Sequence, residues 1–265
     1  MAVQPELKKK ILPIIYIIDS SGSMEIDGNM TKVNEAIKEA MVIIQAKAAA
    51  SPDADVMVGA LKFSTGAEWV FDGLKSPNDF FWNDIKAAGM TYLGVALDKL
   101  DAKLSTEGFL DAIIGYKCPV LIFMSDGHPN DPGDTWKKSL EDIKKNKWFR
   151  NSIKIAMAVG DAADKDVLLE VIDNNREGLI EITDTDKLKE LIVAVSVRSF
   201  KVGSTSKNAK AGNDASEIVK KTVQGAEGVI VGDTNNIHAN EPTTSNDTVM
   251  NGVDPNSGYD DGGWK

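Results

Sequence analysis

The sequence predicts an α/β fold in which a doubly wound, mostly parallel central sheet is flanked by helices and followed by a low-complexity C-terminal tail. Apolar, strand-like runs alternate with segments of helical periodicity, which is typical of parallel sheets with right-handed crossovers. The first run, residues 11–18, carries no charge, as expected of a central strand buried on both faces. Two such runs end on aspartates, Asp19 and Asp126, and open α/β sheets bind ligands outside such strand ends.

The first half of the chain contains three predicted strands and two predicted helices. The first strand, 11–19, precedes a helix over 30–49, where apolar residues recur every three or four positions until Pro52 ends it. A strand over 55–64 is joined to a short edge strand over 67–71 by a tight hairpin that Gly66 favours. A helix over 93–105 has one apolar face, formed by Leu93, Leu97, Leu100 and Leu104.

The second half repeats this alternation. Its predicted strands cover residues 119–126, 154–160 and 179–183. Its predicted helices are one marked by Trp136, Leu140 and Ile143, a short one over 167–172 and a last one over 184–200. Asp184 and Thr185 open the last helix and have side chains suited to an N-cap.

The first strand leads directly into a loop with three oxygen-bearing side chains in an Asp-x-Ser-x-Ser spacing, Asp19, Ser21 and Ser23. Carboxylate and hydroxyl oxygens suit hard divalent cations such as Mg²⁺ or Mn²⁺. Thr91 lies in a later loop that leads into a helix, and Asp126 ends a second apolar strand. Each residue alone is also typical of a cap or a turn, so only the set of five predicts a metal site.

This set resembles the metal-ion-dependent adhesion site (MIDAS) of the von Willebrand factor A (vWA) family. The family pattern is Asp-x-Ser-x-Ser, then Thr, then Asp, and every position is present here in that order. The resemblance covers roughly residues 8–203, and it implies a Rossmann-like sheet with the first strand central and one antiparallel edge strand. Residues 12–24 and 125–131 are similar to the TerY-like branch, which is associated with tellurium resistance.

The resemblance also implies roles for the five residues. Ser21 and Ser23 are expected to bind the metal through their hydroxyls, and Thr91 to bind it directly or through water. Asp19 and Asp126 are expected to hold metal-bound waters and to orient the seryl groups. Because few charged ligands surround it, Mg²⁺ or Mn²⁺ stays electrophilic and accepts a carboxylate from an Asp or Glu of a partner protein.

The function that the resemblance implies is a non-enzymatic, metal-dependent protein-interaction module. Such a module would act as an intracellular bacterial adaptor in a stress or tellurium-resistance system, or in kinase–phosphatase signalling. A kinase or a phosphatase is therefore a candidate partner.

Two other functions stay open. One is a metal-dependent hydrolase or phosphoesterase, although neither of the two histidines belongs to a metal-ligand pair and no phosphate-binding Gly-Lys loop is present. The other is a secreted adhesin, which the missing export signal and the single cysteine argue against.

The composition indicates which classes of partner the protein does not bind and in which compartment it is expected. The net charge of −10 argues against nucleic acid and against anionic membrane surfaces. The single cysteine, Cys118, fits a reducing compartment. Residues 8–18 imitate the start of a signal peptide, but Pro13 and Tyr16 interrupt the apolar run and no cleavage site follows. We therefore expect a cytoplasmic protein that does not enter the membrane.

The composition changes after residue 202, which predicts a vWA domain over 1–203 and an acidic tail over 204–265. Within the tail, 216–223 has helical character and 228–232 has strand character. Trp264, near the end of the tail, is a candidate anchor for docking to another protein. The alternatives are that the tail is dispensable, or that one of its carboxylates binds the metal site of the same chain. His128 and Asp161 are candidate partner contacts, with a solvated loop histidine and a simple turn residue as the alternatives.

Overall fold

The computed structural model describes residues 9–51, 53–111, 115–206, 211–224 and 229–231. Its strands are β1 (Lys10–Asp19), β2 (Ala54–Phe63), β3 (Ala67–Trp69), β4 (Val120–Ser125), β5 (Ile153–Val159), β6 (Leu179–Ile182) and β7 (Val229–Val231). They form one sheet in the order β3-β2-β1-β4-β5-β6-β7. Neighbouring strands from β2 to β6 are parallel, and β3 and β7 are antiparallel edges.

The central strand β1 is buried on both faces because its apolar residues alternate between two cores. Ile14, Tyr16 and Ile18 belong to the core on one side of the sheet. Ile15 and Ile17 belong to the core on the other side. An uncharged run is therefore required over most of the strand, since its side chains from Leu12 onward are buried.

The described residues form seven α-helices: α1 (Asn29–Ala49), α2 (Leu93–Lys103), α3 (Thr135–Ile143), α4 (Lys147–Arg150), α5 (Lys165–Val171), α6 (Leu188–Thr205) and α7 (Ala211–Val223). Helices α1, α6 and α7 share one core with the sheet, and α2, α3 and α5 share the other. This two-sided arrangement confirms the predicted doubly wound α/β fold. None of these helices combines the length and apolar composition needed to cross a bilayer.

The compact unit extends beyond the predicted boundary after residue 203. That boundary lies inside α6, where Gly203 packs so closely on β1 that an added Cβ would lie 2.9 Å from Leu12 Cδ1. Helix α7 packs against α6 and buries Ala215, Ile218 and Val219. Strand β7 pairs with β6, which adds a second antiparallel edge to the one that was predicted.

The difference has a physical cause. The apolar residues of α7 are too few to form a core of their own, as the composition indicates, but they lie on one face and complete an existing core. Helix α7 includes 216–223, where helical character was expected, and β7 forms within 228–232, of which residues 229–231 are described. Residues 232–265, with Trp264, lie outside the described residues.

Candidate metal site

The ends of the two central strands meet at the predicted site. Strands β1 and β4 are parallel neighbours in which Ile18 pairs with Met124, so Asp19 and Ser125 follow side by side. Ser125 Oγ donates a 2.6 Å hydrogen bond to Asp19 Oδ2. The chain leaves β1 toward β2 and leaves β4 toward β5 on the other side, and this divergence opens a crevice at the carboxyl ends of the strands.

The Asp-x-Ser-x-Ser loop folds back onto both aspartates. The second oxygen of Asp19, Oδ1, accepts the Ser21 backbone N–H at 2.8 Å. The hydroxyls of Ser21 and Ser23 lie 3.0 Å apart. Ser23 Oγ donates to Asp126 Oδ1 at 2.8 Å. Four of the five predicted residues therefore form one continuous polar cluster.

Thr91 reaches the same edge of the sheet on a separate loop. Two backbone hydrogen bonds tie this loop to the seryl loop, from Gly22 N to Gly89 O at 3.0 Å and from Ala88 N to Ser20 O at 2.8 Å. Thr91 is buried, and its hydroxyl lies close to the residue after Asp126, because an added Cβ on Gly127 would lie 3.9 Å from Thr91 Oγ1. The fold thus brings all five predicted residues to one place.

Burial disfavours the ionised form of both carboxylates of the cluster, Asp19 and Asp126. It raises the pKa of Asp19 to about 6, even though hydrogen bonds from Ser125 and Ser21 oppose the shift, and the charge of Asp126 adds to it. Burial also raises the pKa of Asp126, against the hydrogen bond from Ser23. A bound cation would favour the ionised form of both groups.

The donor set suits a hard cation that keeps some of its waters. The described residues contain no group of three or more His, Cys, Asp or Glu side chains that could hold a metal. Only two carboxylates are present in the cluster, and the other donors are hydroxyls. Because both oxygens of Asp19 already accept hydrogen bonds from the protein, its geometry fits an orienting role rather than direct ligation.

Several supporting residues were not predicted from the sequence. Asp131 accepts hydrogen bonds from the first two backbone N–H groups of α2, Leu93 and Gly94, each at 2.8 Å. Asn130 exchanges two hydrogen bonds with the backbone of Thr91, at 2.7 and 3.3 Å. In the sequence, only the polar run 125–131 after an apolar strand points to these residues. Their hydrogen-bond partners cannot be identified until the position of α2 is known.

The other predicted contacts lie on neighbouring loops. His128 is exposed, and its Nδ1 pairs with Asp164 Oδ2. Asp164 also caps α5 by accepting the Val167 N–H at 3.0 Å. Asp161 is exposed in the loop after β5. The structure therefore orients His128 through Asp164, a partner that the sequence did not indicate.

Comparisons with known proteins identify the fold. No protein-family model and no curated protein matches the sequence. Among solved structures, the chain is similar to a von Willebrand factor type A protein from Catenulispora acidiphila, with a TM-score of 0.53 and 16% identity over 73% of this chain and 43% of that one. It is also similar to the ArnB paralog VWA2 from Sulfolobus acidocaldarius, with a TM-score of 0.50 and 18% identity over 71% and 45% of the two chains.

A third similar structure is proximal thread matrix protein 1 from the mussel byssus, described as having a zinc-occupied MIDAS motif. Its TM-score is 0.53, with 18% identity over 72% of this chain and 49% of that one. The chain spans less than half the length of each of these three structures. The sheet order, the two helical layers and these similarities together show that the chain adopts the fold of von Willebrand factor type A domains.

Proposed function

We propose that this chain is a protein-interaction module whose binding depends on a divalent cation held at the MIDAS-like cluster. The observation that carries the proposal is the hydrogen bond from Ser23 to Asp126, which joins the seryl loop after β1 to the aspartate after β4. Asp19 and Ser21 belong to the same cluster, since the Ser21 backbone N–H donates a 2.8 Å hydrogen bond to Asp19 Oδ1. The zinc-occupied MIDAS of the mussel protein supports a divalent ion at such a position in this fold.

The bound ion supplies an electrophilic centre for an oxygen ligand from outside. The hydroxyls of Ser21 and Ser23 would hold it directly, with Thr91 as a direct or water-mediated ligand. Asp19 and Asp126 would orient these hydroxyls and hold bound waters. We favour Mg²⁺ or Mn²⁺, since hydroxyl and carboxylate oxygens are hard ligands.

The partner in this proposal is a protein that offers an Asp or Glu carboxylate to the ion. The module would then be non-enzymatic and act as a cytoplasmic adaptor. The TerY-like resemblance supports a stress or tellurium-resistance system, with a kinase or a phosphatase as the partner.

Metal binding is tested by titrating Mg²⁺ and Mn²⁺ into the full chain in a calorimeter. We expect saturable binding that weakens by about 10- to 100-fold in Ser23→Ala and Asp126→Asn. Asp27→Asn is the matched control, because Asp27 is an exposed carboxylate near the same loop and asparagine tolerates its left-handed backbone. Equal affinity in all four proteins would refute the site.

Partner binding is tested by capture from native lysate with Mg²⁺, with chelator and with Asp19→Ala. A partner retained only by the metal-loaded wild type supports the proposal. A partner retained in all three conditions would mean that the interaction uses another surface of the protein. Metal-dependent hydrolysis of a phosphoester that disappears in Asp126→Ala would instead favour the enzyme.

A further inference from the structure

The two loops that carry predicted metal ligands each have one exposed apolar side chain. Among the described residues, the exposed large hydrophobic side chains are Ile26, Val42, Phe81 and Met90. Ile26 is 62% exposed and follows Ser23 in the same turn, and Met90 is 48% exposed and directly precedes Thr91. Both loops that bring hydroxyls to the site thus also present an apolar side chain to solvent. Each of these side chains therefore lies within three residues of a predicted metal ligand.

The backbone around Met90 holds its side chain outward. The Met90 N–H donates to Thr65 Oγ1 at 3.1 Å. Gly89 has a φ of 88°, and an added Cβ there would lie 2.6 Å from Thr65 Oγ1, so only glycine allows this close approach. The Gly89 carbonyl in turn accepts the Gly22 N–H of the seryl loop. Met90 is therefore exposed on a loop that is tied down on both sides.

Ile26 is turned outward by a break in the 3₁₀ segment Gly22–Gly28. Its own backbone is extended, with φ −59° and ψ 137°, and Asp27 and Gly28 both have left-handed backbones. Met24, two residues earlier, is fully buried and anchors the turn to the core. In this turn the side chain of Met24 is therefore buried in the protein, and the side chain of Ile26, three residues after Ser23, is exposed to solvent.

We propose that Ile26 and Met90 form an apolar rim that docks a protein ligand whose metal-binding carboxylate is flanked by an apolar side chain. This inference rests on the proposed function and specifies its partner. Glu25 and Asp27 are exposed on either side of Ile26 and would repel a run of acidic residues. The favoured ligand is therefore a single Asp or Glu with an apolar neighbour, which combines a metal-bound carboxylate with burial of apolar area.

The test uses the full chain with Mg²⁺ and immobilised hexapeptides that carry one central Asp. Neighbouring residues are glycine, leucine or aspartate, and each peptide is matched by one with Asn in place of Asp. We expect the leucine-flanked Asp peptide to bind best, and chelator or the Asn replacement to abolish binding. The double variant Ile26→Ser, Met90→Ser should lose the preference for leucine by about tenfold while it keeps the wild-type Mg²⁺ affinity.

Two further variants separate the rim from general effects. Val42→Ser is the matched control, since Val42 is 66% exposed on α1, about 20 Å along the helix from its first residue. The double variant Ile26→Leu, Met90→Leu keeps the rim apolar and should keep the preference. Thermal unfolding of each variant checks that these surface changes leave the fold intact.

The outcomes distinguish this inference from the proposed function. Equal binding of glycine- and leucine-flanked Asp peptides, unchanged by the serine double variant, would overturn the rim and leave metal-dependent carboxylate binding in place. Binding that ignores chelator and the Asn replacement would overturn the proposed function itself. A loss of leucine preference in Val42→Ser as large as in the rim variant would also overturn the rim.

Discussion

Ser125 Oγ donates a 2.6 Å hydrogen bond to Asp19 Oδ2, and this contact joins the ends of the two central parallel strands. Asp19 is fully buried, and its other oxygen accepts the Ser21 N–H. The carboxylate is thus held in one orientation below the seryl loop. Any cation at the site would experience a negative charge whose position the sheet itself determines.

Replacing Ser125 by alanine removes one of these two hydrogen bonds. We expect the free energy of unfolding at pH 7 without metal to fall by about 1–3 kcal/mol, because a buried acceptor loses its partner. Urea denaturation measures this change. Ser199→Ala is the matched control, since Ser199 Oγ is buried on α6 without a hydrogen-bond partner among the described residues. We expect it to be neutral or stabilising, and an equal loss in both variants would contradict the role of Ser125.

The buried carboxylate makes the stability of the metal-free protein depend on pH. Because burial raises the pKa of Asp19 from its ordinary value of 3.8 to about 6, the folded state binds more protons than the unfolded state between these values. Protonation of Asp19 therefore adds about 3 kcal/mol to the free energy of unfolding. This contribution is complete below about pH 4 and is lost as the pH rises through 6. The raised pKa of Asp126 acts in the same direction.

Divalent metal should reverse this trend, since it favours the ionised carboxylates that burial disfavours. We expect the gain in melting temperature on adding Mg²⁺ to be larger at pH 7.5 than at pH 5. Thermal unfolding at both pH values, with Mg²⁺ and with chelator, measures the difference. Asp19→Asn is the control, and a pH dependence that persists unchanged in this variant would assign the effect to another group.

Asp131 couples the Thr91 loop to the Asp126 loop. Asp131→Ala leaves the N–H groups of Leu93 and Gly94 without their acceptor, so we expect α2 to be destabilised by about 1–2 kcal/mol. We also expect weaker Mg²⁺ binding in a calorimetric titration, because the helix start fixes Thr91. Asp184→Ala removes a similar cap from the segment before α6 and should leave Mg²⁺ binding unchanged. A loss of stability without a loss of Mg²⁺ affinity in Asp131→Ala would limit Asp131 to capping.

Gly89 determines where Met90 and Thr91 lie. Gly89→Ala introduces a left-handed alanine and a contact of 2.6 Å with Thr65 Oγ1, so we expect weaker Mg²⁺ binding and a loss of stability above about 1 kcal/mol. Gly73→Ala is the matched control, because Gly73 has a φ of 72° with nothing within 4 Å of an added Cβ. In urea denaturation, the free energy of unfolding of Gly73→Ala should fall only by the cost of the left-handed backbone, without a steric contact. Equal Mg²⁺ affinities in the two variants would mean that the Gly89 loop does not position the site.

Much of the architecture follows from local pattern. The uncharged run of β1 predicts a strand buried on both faces, and the alternation of strands and helices predicts the two helical layers that the structure shows. The order of Asp19, Ser21, Ser23, Thr91 and Asp126 predicts one cluster, and the structure brings these residues together. The strands and helices could be predicted because hydrophobic period is a property of short segments, whereas the cluster was predicted from the family pattern that its five residues match together.

Only the tertiary structure decided which distant groups support that cluster. The partners of Asp131 belong to α2, and the partner of His128 belongs to the loop before α5, so neither is readable from its own segment. The attachment of α7 likewise depends on an apolar face that the rest of the domain leaves open. The sequence by itself determined most of the strands and helices, because periodicity is local, and it singled out the five residues of the cluster through the family pattern that they match. Packing decided the caps, the extent of the domain and the exposure of Ile26 and Met90, because each depends on surfaces that exist only after the elements assemble.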